Sequence, residues 1–194
     1  MGRPRGFDTD AALDKAMCVF WERGYDGVSL SDLARTMGIT KTSLYAAFGN
    51  KDDLFRRALE RYGEGPGSYG ARALEQPSAR EVAVAYLTGS LCASTPPDSP
   101  TGCLVVQGFM ASGHLDPVLR DALAAWRAEE LDRLRDRFRR AADEGDLPAT
   151  SDPAVLARWL LTTANGLAVQ AAAGAGRDEL RQVADAAVRN WPPA

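Results

Sequence analysis

The sequence predicts an all-α protein of about nine helices. Apolar residues recur at helical spacing in most segments, and 33 of the 194 residues are alanine, the strongest helix former. No segment shows the sustained alternation of apolar and polar residues that a half-buried strand requires. Clusters of glycine and proline separate the helical segments and divide the chain into two parts.

The first helix is predicted over about residues 8–23. Asp8 or Thr9 can cap its start by accepting hydrogen bonds from free amide groups of the first turn, and Gly24 ends it. Its inward face is identified by one apolar stripe, which consists of Leu13, Ala16, Met17 and Phe20.

Three further helices complete the N-terminal part. A short helix over about 29–37 stops at Gly38, another follows over about 40–47, and a longer one spans about 51–62. Together with the first helix they predict a compact unit that contains a three-helix fold of the helix-turn-helix type.

The glycine-rich stretch over residues 63–70 is the clearest break in composition. We therefore predict two domains, 1–62 and 63–194. Prolines and glycines that mark helix ends predict five helices in the second domain, over about 78–94, 103–112, 118–143, 153–174 and 177–191.

Composition excludes several classes of protein. No apolar run reaches the ~18 residues of a transmembrane helix, and the first ten residues lack the apolar stretch of a secretory signal. Three cysteines, few and odd in number, argue against a disulfide framework, so we expect a cytoplasmic protein. One histidine and scattered cysteines predict neither a metal site nor a cofactor.

The strongest functional signal is a spacing of four and then six residues between Ala34, Gly38 and Leu44. A helix-turn-helix requires a small residue where the helices cross, a glycine at the left-handed turn and a branched apolar residue in the second helix. The outer face of that second helix can enter a major groove. On these three residues alone, an ordinary helical hairpin that binds nothing remains the alternative.

The outer face of the second helix carries donors suited to phosphates and base edges. Lys41, Thr42, Ser43 and Tyr45 lie on it and Lys51 follows, so two of the three lysines in the chain occur here. This choice of side chains favours a DNA-binding surface over a plain hairpin.

Charge is divided unevenly, although the whole chain has a net charge of −3. Residues 1–62 hold 10 basic and 9 acidic residues, which gives +1, and residues 63–194 hold 13 basic and 17 acidic residues, which gives −4. Arg3 and Arg5 flank Pro4 in an N-terminal arm that can reach a minor groove. Because +1 is small, DNA binding must depend on where the charges are placed.

The run GYDGVSLSDLARTMGITKTSLYAAFGNKDDLF resembles the DNA-binding domain of the TetR family of transcriptional regulators, as does the opening GRPR followed by a helix. The resemblance is detailed over residues 3–62 and architectural beyond them. It implies a transcriptional regulator, most often a repressor that an effector releases from its operator. Its specific elements are Gly38, the Leu44-Tyr45 pair, Phe48 and the Lys51-Asp52-Asp53-Leu54 start of the fourth helix.

Carried over by position, the resemblance implies a set of phosphate contacts. Ser29 or Ser31 would contact a phosphate at the start of the second helix, and Ser43 and Tyr45 would bind phosphate through their hydroxyls. Lys51 would add its charge to the dipole of the fourth helix. The alternatives are an aromatic at the core edge for Tyr45 and a solvated charge for Lys51.

The resemblance also implies that Lys41 and Thr42 face bases. Ala46 and Ala47 depart from the family pattern, since many members carry large aromatic or histidine side chains there. Alanine can contact only a thymine methyl group, so we expect base recognition to depend on Lys41, Thr42 and the arm.

The family pattern implies a homodimer on a pseudo-palindromic operator. The last two helices also carry apolar stripes that suit a four-helix interface between subunits. The alternative is that these stripes only pack the core of one subunit. They comprise Leu156, Leu160, Thr163, Leu167 and Ala171 on the eighth predicted helix, and Leu180, Val183, Ala187 and Trp191 on the ninth.

The middle helices are expected to enclose an effector pocket in which a few polar groups interrupt apolar and aromatic walls. Asn165 is the most informative candidate, because its amide lies in an otherwise apolar helix and needs a partner. Each candidate alone also suits the core, and His114 favours a solvated or capping role. The predicted lining residues are Tyr86, Cys103, Leu104, Gln107, Phe109, Met110, Trp126, Trp159 and Asn165.

Cys103 has two interpretations. It lies at the predicted start of a helix, where the helix dipole lowers the pKa of a thiol and raises its reactivity. The pattern GCLVV is also similar to a subset of the family that responds to electrophiles or oxidants. The alternative is a buried small hydrophobe, so the effector is expected to be either a small molecule or a thiol-reactive compound.

Two other functions compete with a regulator. An enzyme with Cys103 as nucleophile lacks a histidine at an interpretable position, a carboxylate pair and a phosphate-binding loop, so no catalytic activity is expected. A degenerate helix-turn-helix that binds proteins instead of DNA is disfavoured by the intact Tyr45 and Lys51.

Overall fold

The computed structural model describes residues 7–110 and 115–192. Within these ranges the chain forms ten α-helices and no strand, which confirms the predicted all-α fold. None of the helices in these ranges combines the length and the hydrophobicity that a membrane span requires. The helices are α1 (Thr9–Arg23), α2 (Leu30–Met37), α3 (Lys41–Phe48), α4 (Lys51–Glu64), α5 (Tyr69–Leu74), α6 (Ala79–Ser94), α7 (Leu104–Met110), α8 (Pro117–Asp143), α9 (Pro153–Ala172) and α10 (Arg177–Arg189).

The short helix α5 is the one that the sequence did not predict. It lies partly inside the glycine-rich stretch, after a single 3₁₀ turn over Pro66–Ser68. Glycine lowers helix propensity, so the composition of this stretch predicts a break between helices. Packing overrides that propensity, because α5 lies against α6 with Ala73 in the core between them.

A first core joins α1 to α4 through a cluster of aromatic rings. The ring of Phe55 lies edge-on to those of Phe20 and Tyr25, with centroids 4.9 and 5.2 Å away. Trp21 and Tyr62 form a similar edge-on pair at 4.9 Å. These contacts pack the long helices α1 and α4 against each other. The helix-turn-helix formed by α2 and α3, which lie between them in the chain, is supported by this packing.

The first core also contains residues from far along the chain. Leu104 of α7, Leu115, and Leu119 and Leu123 of α8 are buried in the same cluster as the N-terminal helices. The division at residue 62 stays a prediction, but the packing unit around the DNA-binding helices includes α7 and the start of α8.

A second core holds α6, α8, α9 and α10 together. Tyr86 and Leu87 of α6 are buried there with Phe138 of α8 and Leu160 of α9. Most residues of the stripes that we assigned to a dimer face also lie in this core of one subunit, because neighbouring helices already cover that side of α9 and α10. Leu156, Leu160, Leu167, Ala171 and Leu180 are buried, and Val183 is exposed.

Candidate DNA-binding surface and effector cavity

The turn between α2 and α3 has the geometry that the sequence requires. Gly38 adopts a left-handed backbone with φ 73° and ψ 30°. Its amide donates to the carbonyl of Arg35 at 3.2 Å, and the amide of Ile39 donates to that of Ala34 at 3.0 Å. Ala34 and Leu44 are buried beside the turn. This arrangement sets the angle at which α3 leaves α2.

The outer face of α3 presents three of the predicted DNA-binding side chains to solvent. Lys41 and Thr42 are exposed, and Tyr45 is 53% exposed, so its ring is not part of the core edge. Ser43 is half-buried, and its hydroxyl accepts a hydrogen bond of 3.0 Å from Thr40, the cap of α3. A phosphate contact by Ser43 must therefore share this hydroxyl with the cap.

The two serines at the start of α2 differ in their surroundings. Ser29 forms a capping box with Asp32, in which its hydroxyl and amide both contact the carboxylate. These hydrogen bonds hold the pKa of Asp32 below its usual range. Ser31 is exposed one residue inside the helix. Arg3 and Arg5 lie outside the described residues.

Lys51 is the first residue of α4, and its side chain is held against an aromatic ring. Its ammonium nitrogen lies 4.0 Å from the centroid of Tyr25. The hydroxyl of Tyr25 donates to the carboxylate of Asp52 at 2.9 Å. Partial burial lowers the pKa of Lys51, while Asp26 and Asp52 favour its charged form.

A cavity of about 270 Å³ lies where α4, α6, α7, α8 and α9 meet. Four predicted residues line it: Tyr86, Cys103, Trp126 and Asn165. Sequence reasoning missed most of its other polar and aromatic groups. These are Tyr62, Tyr69, Arg127, Glu130, Arg158 and Thr162.

Glycines allow large side chains to form one wall of this cavity. A Cβ atom at Gly63 would lie 3.1 Å from the Trp126 ring, and one at Gly67 would lie 3.0 Å from the Tyr62 ring. At Gly70 it would lie 3.2 Å from a carboxylate oxygen of Glu130. The glycine-rich stretch is therefore the sequence signal that could have located the missed residues.

The remaining predicted lining residues lie outside this cavity. Leu104 is fully buried in the first core, because α7 turns it towards α1 and α4. Gln107 and Met110 line a separate surface groove beside Tyr25, and the exposed ring of Phe109 lies under the guanidinium of Arg127. Trp159 packs against Trp191 at 5.6 Å, and His114 lies outside the described residues.

The structure reverses the expected effect on the Cys103 thiol. Burial raises the pKa of Cys103, although the nearby Tyr62 hydroxyl and two α7 amides act in the opposite direction. The effect of desolvation on the thiol therefore exceeds that of these neighbouring hydrogen-bond donors. All three cysteines are free, and Cys92 is exposed with its sulfur 3.1 Å from the guanidinium of Arg177. No group of three potential metal ligands occurs in the described ranges.

Glu130 is a carboxyl group placed among aromatic rings of the cavity. The hydroxyl of Tyr86 donates a hydrogen bond to this carboxyl group. Burial raises the pKa of Glu130, whereas the hydrogen bond from Tyr86 and the charges of Arg127 and Arg133 partly counter this shift. The buried hydroxyl of Tyr62 has no hydrogen-bond partner among the described side chains. These groups leave hydrogen-bonding capacity for a bound molecule.

Two family models match the chain. One is described as bacterial regulatory proteins, tetR family, and matches residues 12–58. The other is described as tetracyclin repressor-like, C-terminal domain, and matches residues 84–188. The matched ranges contain the helix-turn-helix and most of the cavity-forming helices.

Individual proteins are similar over the whole chain. The HTH-type transcriptional repressor ComR of Escherichia coli (strain K12) is 32% identical over 193 residues, 98% of this chain and 92% of ComR. A cysteine mutant of the TetR family transcriptional regulator CifR was solved in complex with 26-base-pair double-strand operator DNA. It is 43% identical, the match covers 98% of this chain and 100% of that one, and the TM-score is 0.89.

The buried Glu130 predicts a pH-dependent stability. Because its pKa is raised from an ordinary 4.5, the folded state holds this proton more tightly than the unfolded state, and wild type loses stability as pH rises through the shifted value. Glu130→Gln keeps an acceptor for Tyr86 and removes the charge. Its free energy of unfolding in urea should exceed that of wild type by a margin that grows from pH 4.5 to 7.5. The control is Glu129→Gln at the exposed neighbour, and an equal margin at every pH would contradict the prediction.

Proposed function

Because the chain belongs to the TetR family of bacterial regulatory proteins, we propose that it is a transcriptional repressor that an effector releases from a pseudo-palindromic operator. The observation that carries this proposal is the exposed row of Lys41, Thr42 and Tyr45 on α3, the second helix of a helix-turn-helix. ComR is named as a repressor, and CifR was solved with operator DNA. A DNA-bound repressor acts in the cytoplasm.

Base recognition is assigned to Lys41 and Thr42, which begin α3. The N-terminal residues of a recognition helix contact base edges, and both side chains are exposed there. Phosphate binding is assigned to Tyr45, Lys51 and Ser31, with Ser29 and Ser43 contributing less because caps already engage their hydroxyls. Arg3 and Arg5 are proposed to reach the minor groove from the arm.

Mobility shifts with DNA from upstream of its own gene test this assignment. Tyr45→Phe combined with Lys51→Ala should weaken binding to every sequence, because phosphate contacts carry no sequence information. Thr42→Ala is the matched comparison and should instead change the preferred sequence. Wild type should lose affinity steeply as salt increases. If wild type gives no sequence-specific shift at low salt, the repressor proposal is overturned. If the double variant binds DNA with unchanged affinity, Tyr45 and Lys51 are not phosphate contacts.

The cavity is proposed to bind the effector. Its walls combine aromatic rings with a few buried polar groups, which is the composition of small-molecule sites. Cys103 lies directly before α7, which packs into the first core, so the cavity adjoins the helix that supports the DNA-binding unit. A ligand that favours one position of α7 would shift the population of DNA-binding states by its difference in affinity for the two. The raised pKa of Cys103 supports a ligand bound without covalent attack on the thiol.

The order in which the cysteines are alkylated distinguishes a non-covalent small-molecule effector from a thiol-reactive one. With N-ethylmaleimide near pH 7, the exposed Cys92 should react before Cys103, because the thiolate is the nucleophile and burial disfavours it. Mass spectrometry of peptides measures both rates, and Cys92→Ser provides the control in which the rate of Cys103 is measured without competition from Cys92. If Cys103 instead reacts first and its modification releases DNA, a thiol-reactive effector is favoured.

The homodimer is proposed to form through the exposed faces of α9 and α10, not through the buried stripes. One side of α9 is covered by the second core, and its opposite side carries small and apolar residues exposed at helical spacing. Val183 of α10 is also exposed. The exposed side of α9 includes Val155, Gly166 and Val169, together with Arg158 and Thr162, which also line the mouth of the cavity.

Gly166 gives a direct test of this interface. A Cβ atom there has no neighbour within 4 Å in the subunit, so a larger side chain does not disturb the monomer. Gly166→Glu should therefore fold as wild type but elute as a monomer with weaker operator binding, whereas Val118→Glu on α8 is the control and should remain a dimer. Light scattering after gel filtration measures the mass. A dimeric Gly166→Glu protein, or a monomeric wild type, would contradict the interface.

A further inference from the structure

We propose that Tyr25 is a positioning residue for DNA binding: its ring holds the Lys51 ammonium where a phosphate is bound, and its hydroxyl is locked by Asp52. This inference rests on the proposed DNA-binding function and adds a residue that does not itself touch DNA. Tyr25 lies in the connection between α1 and α2, outside the helix-turn-helix.

The ring of Tyr25 is a fixed platform. It is 8% exposed and packs inside the first core. It is stacked on Phe20 with a centroid distance of 6.3 Å and an interplanar angle of 7°, and it lies edge-on to Phe55 at 5.2 Å. The hydroxyl donates to Asp52 at 2.9 Å, so both the ring and its hydroxyl end are held in place.

The lysine needs such a platform. A lysine side chain has four flexible bonds and samples many rotamers when it is unrestrained. The Lys51 nitrogen lies 4.0 Å from the Tyr25 centroid, within the range of a cation–π contact. The capping box of Asn50 and Asp53 fixes the backbone from which the side chain starts. The position of the ammonium is therefore determined before DNA arrives, and little conformational entropy is lost on binding.

Nearby acids keep the ammonium charged without replacing the ring. Burial alone lowers the pKa of Lys51, and Asp26 and Asp52 counter this effect. Asp52 already accepts the Tyr25 hydroxyl and lies 3.4 Å from the amide of Asp116, the cap of α8. The same carboxylate thus connects the platform to the helix that lines the effector cavity.

The other two lysines provide an internal comparison. Lys15 and Lys41 are both exposed, whereas Lys51 is half-buried. Within the described ranges, Lys51 is the lysine that lies over an aromatic ring. An NMR chemical shift that depends on contact with an aromatic ring therefore distinguishes Lys51 from Lys15 and Lys41.

The first experiment measures the salt dependence of binding to a duplex that wild type shifts. Each phosphate contact contributes about 0.9 to the slope of log K against log salt, so a dimer without this contact in either subunit should have a slope smaller by about 1.8. Lys51→Ala and Tyr25→Met should each show this decrease, and the double variant should show no further decrease. Tyr25→Phe keeps the ring and should retain the wild-type slope. Circular dichroism melts establish that each variant is folded.

The second experiment needs no variant of Tyr25. In the proton NMR spectrum of the DNA-free protein, the side-chain methylene signals of Lys51 should lie upfield of those of Lys15 and Lys41, because they lie over an aromatic face. Lys51→Arg assigns the signal. This measurement keeps the inference testable if Tyr25→Met does not fold.

The outcomes distinguish a failure of the proposed repressor function from a failure of the positioning role of Tyr25. If wild type binds no duplex specifically, the proposed function fails. If wild type binds but Tyr25→Met or Lys51→Ala keeps the full salt slope, or the Lys51 methylene signals are not shifted, the positioning role fails while the repressor stands. A decrease of slope in Tyr25→Phe equal to that in Tyr25→Met would also overturn the role of the ring.

Discussion

The close packing of α7 against α4 is the interaction on which the rest of the structure depends. A Cβ atom at Gly108 would lie 3.0 Å from the Phe55 ring, so only glycine permits this approach without a shift. The helix that begins beside cavity residue Cys103 is thereby part of the core that supports the DNA-binding helices. Any displacement of α7 by a ligand must be accommodated by Phe55. The ring of Phe55 touches Tyr25, and Tyr25 lies under Lys51.

The cavity that we propose as the effector site depends on a second set of close approaches. Gly63, Gly67 and Gly70 let Trp126, Tyr62 and Glu130 lie against the backbone that joins α4 to α5. Larger residues would push these side chains away and change the shape of the wall. The cavity is consequently formed by the same segment that leads out of α4, the helix whose first residue is proposed to bind phosphate. One end of α4 therefore adjoins the proposed effector site, and its other end carries the proposed phosphate contact.

The proposed DNA-binding surface depends on the placement of a few side chains and not on a large positive charge. The net charge of residues 1–62 is only +1, so bulk attraction is weak. Capping boxes at α2 and α4 instead fix the helix starts from which Ser31 and Lys51 project. The left-handed Gly38 orients α3 and its exposed Lys41. In the proposed surface, local backbone geometry therefore fixes the positions of the few side chains assigned to DNA.

The sequence by itself determined the helix-turn-helix, because its signals are local. A cap, a left-handed glycine and a buried leucine at set spacings act within some twenty residues, and Gly38, Leu44 and the start of α4 were located correctly from them. Periodicity also predicted most helix positions. It could not predict α5, where packing on α6 outweighs the low helix propensity of glycine.

Only the tertiary structure decided which apolar face of a helix meets which neighbour. Apolar residues occur on both sides of α9, and the sequence does not show which side is buried. Leu160 is buried within one subunit, whereas Val169 is exposed. Leu104 enters the first core and its neighbour Cys103 faces the cavity. The thiol pKa depends on the balance between a helix terminus, which sequence shows, and burial, which it does not. Periodicity reports that a face is apolar, and long-range packing selects its partner.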